Sequence, residues 1–169
     1  MKNAGNNKGV AAVEFAIIAP LLFVLLFGII EFGVVLYNQA VITNASREGA
    51  RYAATFYTNP ESTAGTLLHC DNIGTYVANY VNARIISLKS STPFGPGNVS
   101  CCDSAVDCSP TTAPSNDFGV PAGRVATIRI GYRYGFLVFG NLIVLVAPGA
   151  SWSSITLTAQ TAMRDENQG

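Results

Sequence analysis

VAAVEFAIIAPLLFVLLFGIIEFGVVLY, residues 10–37, is the stretch that decides the fold. Only Glu14 and Glu31 carry charge in it, and Pro20 is its one helix breaker. The run between the two glutamates, Phe15 to Ile30, falls a little short of the roughly 20 apolar residues that a bilayer crossing takes. Adding Phe32 to Tyr37 makes it long enough, provided Glu31 is accommodated. Two other readings compete. A cleaved secretory signal peptide also starts basic and turns apolar, but Glu14 sits badly in such a core, the run outlasts the usual length, and no small-x-small site closes it. A core helix of a water-soluble protein would need cover on every side, and little else in the chain could supply it. The sequence therefore predicts one transmembrane helix over 10–37, behind a short polar arm, 1–9, that carries Lys2 and Lys8.

Composition narrows the class. Hydrophobic residues make up 49% of the 169 and charged residues 12%, against about 25% charged in an ordinary soluble domain. Ten basic residues balance ten acidic ones. A neutral chain lacks the basic excess of a nucleic-acid binder and is no acidic disordered tail. Lysines before the span favour a cytoplasmic arm, but Arg47 and Arg51 follow it closely and bring the positive-inside tally near a tie.

Working outward, helical spacing continues from Asn38 to Phe56 through Val41, Ile42, Ala45, Gly49, Tyr52 and Ala53. Arg47, Glu48 and Arg51 fall between these, with Glu48 and Arg51 at ion-pairing distance along a helix. An amphipathic continuation covered by a globular domain is expected, ended by Thr58-Asn59-Pro60. Ile73, Tyr76, Val77, Tyr80, Val81 and Ile85 predict a second helix over 73–88. Residues 90–98 and 103–123 are loops by composition. Arg124 to Tyr134 alternates, placing Ala126, Ile128, Ile130, Tyr132 and Tyr134 on one face. Ser153 to Met163 alternates again, with Ile155, Leu157, Ala159, Thr161 and Met163 together. A short strand near 98–101 would join them. Phe136 to Ala147 is apolar but too short to span, and Gly140-Asn141 reads as a break; a hydrophobic loop or short helix touching the membrane or a neighbouring chain is expected. The fold class is α+β: one long helix packed on a small antiparallel sheet.

Cys70, Cys101, Cys102 and Cys108 all lie beyond the span. In an oxidising compartment they would form two disulfides. Adjacent Cys101 and Cys102 would close a strained ring, which leaves Cys70 to one of them and Cys108 to the other. Zinc is the rival, but the spacing fits no usual Cys-x2-4-Cys pattern. His69 has no third group to orient it as a base, and Gly95-Pro96-Gly97 lacks the Lys-Ser/Thr of a phosphate loop. No catalytic set, cofactor or metal site is expected.

Glu14 and Glu31 are the costly residues. A charge in hydrocarbon costs about 2.5 to 3.5 kcal/mol on insertion scales unless it is paired. Glu31 lies 17 residues after Glu14, about 25 Å along a helix. Two readings suit it: an interfacial depth, or a contact with a partner in the membrane, where Gly28 and Gly33 would allow close helix packing.

The residues Lys8-Gly9-Val10-Ala11-Ala12-Val13-Glu14-Phe15 resemble the processing site of a type IV prepilin of the short-leader, Flp-type (type IVb) class. The longer pattern extends through Ala16, Pro20-Leu21-Leu22, Phe27-Gly28-Ile29-Ile30-Glu31-Phe32-Gly33 and Ala45-Ser46-Arg47-Glu48-Gly49-Ala50-Arg51. It is similar to the TadE-like family of pseudopilins over about residues 8–54. Thr156 to Ala159 and Met163 to Glu166 also resemble that family's last strand; Ser46 departs from an expected Ala.

The resemblance implies cleavage after Gly9 by a prepilin peptidase, leaving Val10 first and Glu14 fifth. It implies that Glu14 meets the Val10 amine of a neighbouring chain. It raises Gly28, Glu31, Gly33, Arg47, Gly49 and Arg51 as assembly residues. It implies a cytoplasmic leader 1–9, a transmembrane helix 10–37 in a bacterial inner membrane, an extramembrane helix 38–57 and a periplasmic domain 58–169. The expected function is that of a minor pseudopilin in a tight-adherence pilus system, with other pilins and inner-membrane platform proteins as partners. The alternative is a membrane-anchored extracytoplasmic binding module that works through loops 90–98 and 103–123.

Overall fold

The computed structural model describes residues 7–55, 70–89, 93–102, 125–140 and 154–164. Helix α1, Asn7–Thr55, is a single element of 49 residues, about 73 Å at 1.5 Å per residue. The apolar and amphipathic segments expected from the sequence are thus one helix, which runs through Pro20 without ending. The expected stop at Thr58-Asn59-Pro60 lies outside the described residues. From Val10 to Ile30 the large apolar side chains are exposed. From Glu31 onward a buried stripe begins: Glu31, Val35, Asn38, Ile42, Ala45, Ser46, Ala50 and Ala53. These recur three or four residues apart, as one face of a helix must.

That stripe is covered by a small sheet. Strands β1 (Val99–Cys102), β2 (Val125–Gly135) and β3 (Ser154–Arg164) are antiparallel, in the order β1-β2-β3. Central Ile128 stands opposite Cys101 on β1 and Thr161 on β3. Ala126, Ile128, Ile130, Tyr132 and Tyr134 are buried, the face that the alternation picks out. On β3, Leu157 and Ala159 are buried, while Ile155, assigned to the same face, is exposed at the start of the strand. Strand β2 runs antiparallel to α1 and β3 runs with it. Gly49 of α1 lies over Ile128, Gln39 donates to the Thr158 carbonyl, and Ser46 meets Thr161 further along. The β2 end that leads to Phe136 therefore points back toward the bare half of the helix.

Helix α2, Cys70–Asn82, is shorter than the 73–88 expected from periodicity. It buries Ile73, Val77, Ala78 and Val81, but Tyr76 is exposed. The backbone amides of Arg84 and Ile85 both close onto the Val81 carbonyl. Beyond them, Ile86 is claimed by α1. The fully buried Asn38 donates from Nδ2 to the Ile86 carbonyl at 2.7 Å, and the Ile86 amide donates to Asn38 Oδ1 at 3.0 Å. A side-chain amide standing in for a strand partner draws residue 86 out of helical pairing. Asn38→Leu removes both partners from a half-sequestered backbone unit. It is expected to destabilise the domain by about 2–5 kcal/mol, read as a lower thermal midpoint of the full chain in detergent.

Candidate functional site: the long helix and its seat

The candidate residues fall into three levels along α1. At the first, Gly9, Val10 and Glu14 are exposed along the bare part of the helix. A β-carbon at Gly9 would meet nothing within 4 Å, so the peptide after it is sterically open.

At the second level, Glu31 is only 2% exposed. Its carboxylate accepts the Leu137 amide on Oε1 and the Phe139 amide on Oε2, the latter at 3.0 Å. Phe139 and Gly140 open a helical turn, and amides at such a start lack partners of their own. A carboxylate there is stabilised by charge-assisted bonds. Gly140, read as part of a break or turn with Asn141, is buried and helical; Asn141 and the rest of the expected loop or short helix to Ala147 lie outside the described residues. One turn before Glu31, a β-carbon at Gly28 would stand 3.0 Å from the Phe139 ring. Phe136 packs between Tyr134 and Phe139, with ring centroids 5.6 and 6.5 Å away. Burial, then the Glu31 charge, pushes the Tyr134 phenol above its ordinary pKa.

At the third level, a β-carbon at Gly49 would come 2.7 Å from Val77 Cγ2 and 3.4 Å from Ile128 Cγ2. Gly49 is where α1 meets α2 and the sheet together. Ser46 is fully buried and its hydroxyl lies 2.7 Å from that of Thr161. Ser46, where an alanine is expected, therefore has a matching residue on β3. Glu48 accepts the Tyr76 hydroxyl at 3.1 Å, and Tyr76 stacks on Tyr52 at 4.6 Å.

The candidates thus sort by face. At about 100° per residue, Gly33, Asn44, Arg47 and Arg51 fall within about 40° of one line along α1. Glu31 and Gly49 fall nearly opposite. Gly33, Asn44, Arg47 and Arg51 are exposed, and a β-carbon at Gly33 would meet nothing. Gly28, Glu31 and Gly49 hold the chain's own domain, while Gly33, Arg47 and Arg51 face outward.

Cys70 and Cys101 form a disulfide across 31 residues, joining the start of α2 to β1. Cys102 is disulfide-bonded as well; Cys108 lies outside the described residues. Among the described residues no group of three or more His, Cys, Asp or Glu could hold a metal ion. Of loop 90–98, residues 93–98 are described. In it Phe94 is buried and Asn98 donates to the Gly131 carbonyl, while Pro93, Pro96 and Gly97 are exposed; loop 103–123 lies outside the described residues. Asn38 and Ser46 escaped the sequence reading. A polar residue repeating on an otherwise apolar helical face was the available signal.

A bare apolar helix whose outer half seats a small α+β domain is a pilin-like architecture. Residues 9–51, about a quarter of the chain, match the TadE-like protein family. No curated protein and no solved structure matches it.

Gly49→Ala is expected to destabilise the domain by about 1–3 kcal/mol, because the added carbon overpacks Val77. Gly33→Ala, with room for its β-carbon, should not lower the thermal midpoint and should raise it slightly through helix propensity, by up to about 1 kcal/mol. Burial, then the hydrogen bond to Glu48, raises the Tyr76 pKa above 10.0. A raised folded-state pKa contributes stability in full below the unfolded value, and that stability is lost as pH rises through the folded one. Tyr76→Phe should therefore lessen the alkaline loss of stability in a denaturation series run above pH 9 to 11 (roughly, bracketing the tyrosine range).

Proposed function

We propose that this protein is a minor pseudopilin that acts in the assembly or secretion of a tight-adherence pilus and is not an enzyme. The observation that carries the reading is the bare helix itself, within the family-matched segment. It is long and apolar enough to cross a membrane, exposes its side chains from Val10 to Ile30, and carries one acid, Glu14, at the fifth position after Gly9. The prepilin peptidase cuts after Gly9. The arm 1–9 is cytoplasmic, Val10 to Ile30 crosses the inner membrane, and the domain lies in the periplasm. The Cys70–Cys101 disulfide supports that orientation, since such bonds persist in oxidising compartments.

Within the bundle, Glu14 pairs with the Val10 amine of a neighbouring pilin, because neither charge has a cheap place in hydrocarbon alone. Neighbouring helices pack along the outward line of Gly33, Arg47 and Arg51. Gly28, Glu31 and Gly49 serve assembly indirectly, by fixing the domain on the opposite side of α1. Cys102 pairs with Cys108. Platform proteins of the inner membrane complete the partner set.

In cells with active peptidase, mass analysis should find a chain that starts at Val10; an intact Met1 start overturns the processing step. Glu14→Ala should leave insertion and cleavage intact and lower recovery with co-purified pilins. Equal recovery would remove Glu14 from assembly. Non-reducing peptide mapping should find Cys70 with Cys101 and Cys102 with Cys108.

A further inference from the structure

The domain begins to cover α1 at Glu31. The bare stretch below it, Val10 to Ile30, is about 31 Å long, and the hydrocarbon core of a bilayer is about 30 Å thick. If Val10 sits at the inner boundary, the outer boundary falls at Ile30 or Glu31. Phe139 packs over Gly28, three residues nearer the N-terminus, or about 4.5 Å lower along the axis. Its ring therefore lies at or just inside that boundary. Leu137 beside it is 47% exposed and Phe139 is 36% exposed. Two cations sit just above these apolar residues. Lys89 lays its aliphatic stem against Gly135, its Cδ 3.5 Å from where a β-carbon there would be. Arg133, exposed, donates from Nε to Ser154 Oγ at 2.8 Å. Among the described residues beyond the bare stretch, the acids other than Glu31 are Glu48 and Asp71, which lie toward the opposite end of the domain.

An apolar tip under a basic rim is the arrangement of a membrane-surface element: the tip enters the interface, and the long cationic chains reach the phosphates. We propose that Phe136, Leu137 and Phe139, rimmed by Lys89 and Arg133, form a lipid-docking surface that rests in the outer interface of the bilayer α1 crosses. The proposal rests on the transmembrane reading above. Glu31 makes the docking affordable. It accepts hydrogen bonds from the Leu137 and Phe139 amides in a layer where lipid offers none. A second consequence concerns geometry. A domain resting on the membrane on one side of α1 leaves the line of Gly33, Arg47 and Arg51 open on the other.

Bromolipid quenching of a single tryptophan tests this on the full chain. The chain has one tryptophan, Trp152. In a Trp152→Phe background, Leu137→Trp and Leu22→Trp report the proposed docking surface and the middle of the span. Each variant is reconstituted at less than one copy per vesicle, in phosphatidylcholine with phosphatidylglycerol, and retention of the Cys70–Cys101 peptide pair confirms the fold. Docking predicts that Leu137→Trp loses emission to lipid brominated near the headgroup, emits blue-shifted, and is shielded from acrylamide. Leu22→Trp should lose emission to deeply brominated lipid. If Leu22→Trp responds to bromolipid while Leu137→Trp responds only to acrylamide, the span stands and lipid docking is overturned, leaving the surface for a partner chain. Shielding of Leu137→Trp from both quenchers means cover by protein and overturns it too. If neither position responds to bromolipid, the transmembrane reading fails and docking fails with it.

Discussion

The Glu31 carboxylate, buried and bound to the amides of Leu137 and Phe139, sits where the bare helix ends and the covered helix begins. A buried carboxylate is expensive unless its oxygens are satisfied. Here both oxygens are taken by amides that themselves need acceptors. The contact spans more than a hundred residues of sequence and fixes the β2 end of the sheet to one level of α1. Everything above it follows in register: Asn38 on Ile86, Gln39 on Thr158, Ser46 on Thr161 and Gly49 against Val77 and Ile128. A slip of one helical turn would strand the acid and unseat each of these together.

Polar contacts thus set position, and apolar burial supplies the bulk of the adhesion. Small residues permit the approach at two heights, Gly28 under Phe139 and Gly49 under Val77. Neither glycine is needed for an unusual backbone angle; both mark where another element comes too near for a side chain. The free side of α1 has no such constraint at Gly33.

How much of this was legible follows from which interactions are local. The long helix rests on an unbroken apolar run and then on helical period, and the two alternating strands and the buried face of β2 rest on period alone. The end of α2 was not legible, since Asn38 takes the backbone of Ile86 from far along the chain. The partner of Glu31 was hidden for the same reason: backbone amides leave no mark in a sequence. In place of a partner in the membrane, its carboxylate meets the Leu137 and Phe139 amides of its own chain. Cysteine chemistry narrowed the disulfides to two pairings, but only the fold sets Cys101 inward against Cys70.

Strand β1 lies at one edge of the sheet, and its last two residues are both disulfide-bonded cysteines. Alternate residues of a strand point to opposite faces, so the covalent ties leave this short edge on both sides. An open edge is a template for another strand. Covalent ties on both faces keep β1 from peeling off the longer β2 behind it, so the cross-links guard the central strand as much as they strengthen the fold, while β3 forms the other edge of the sheet.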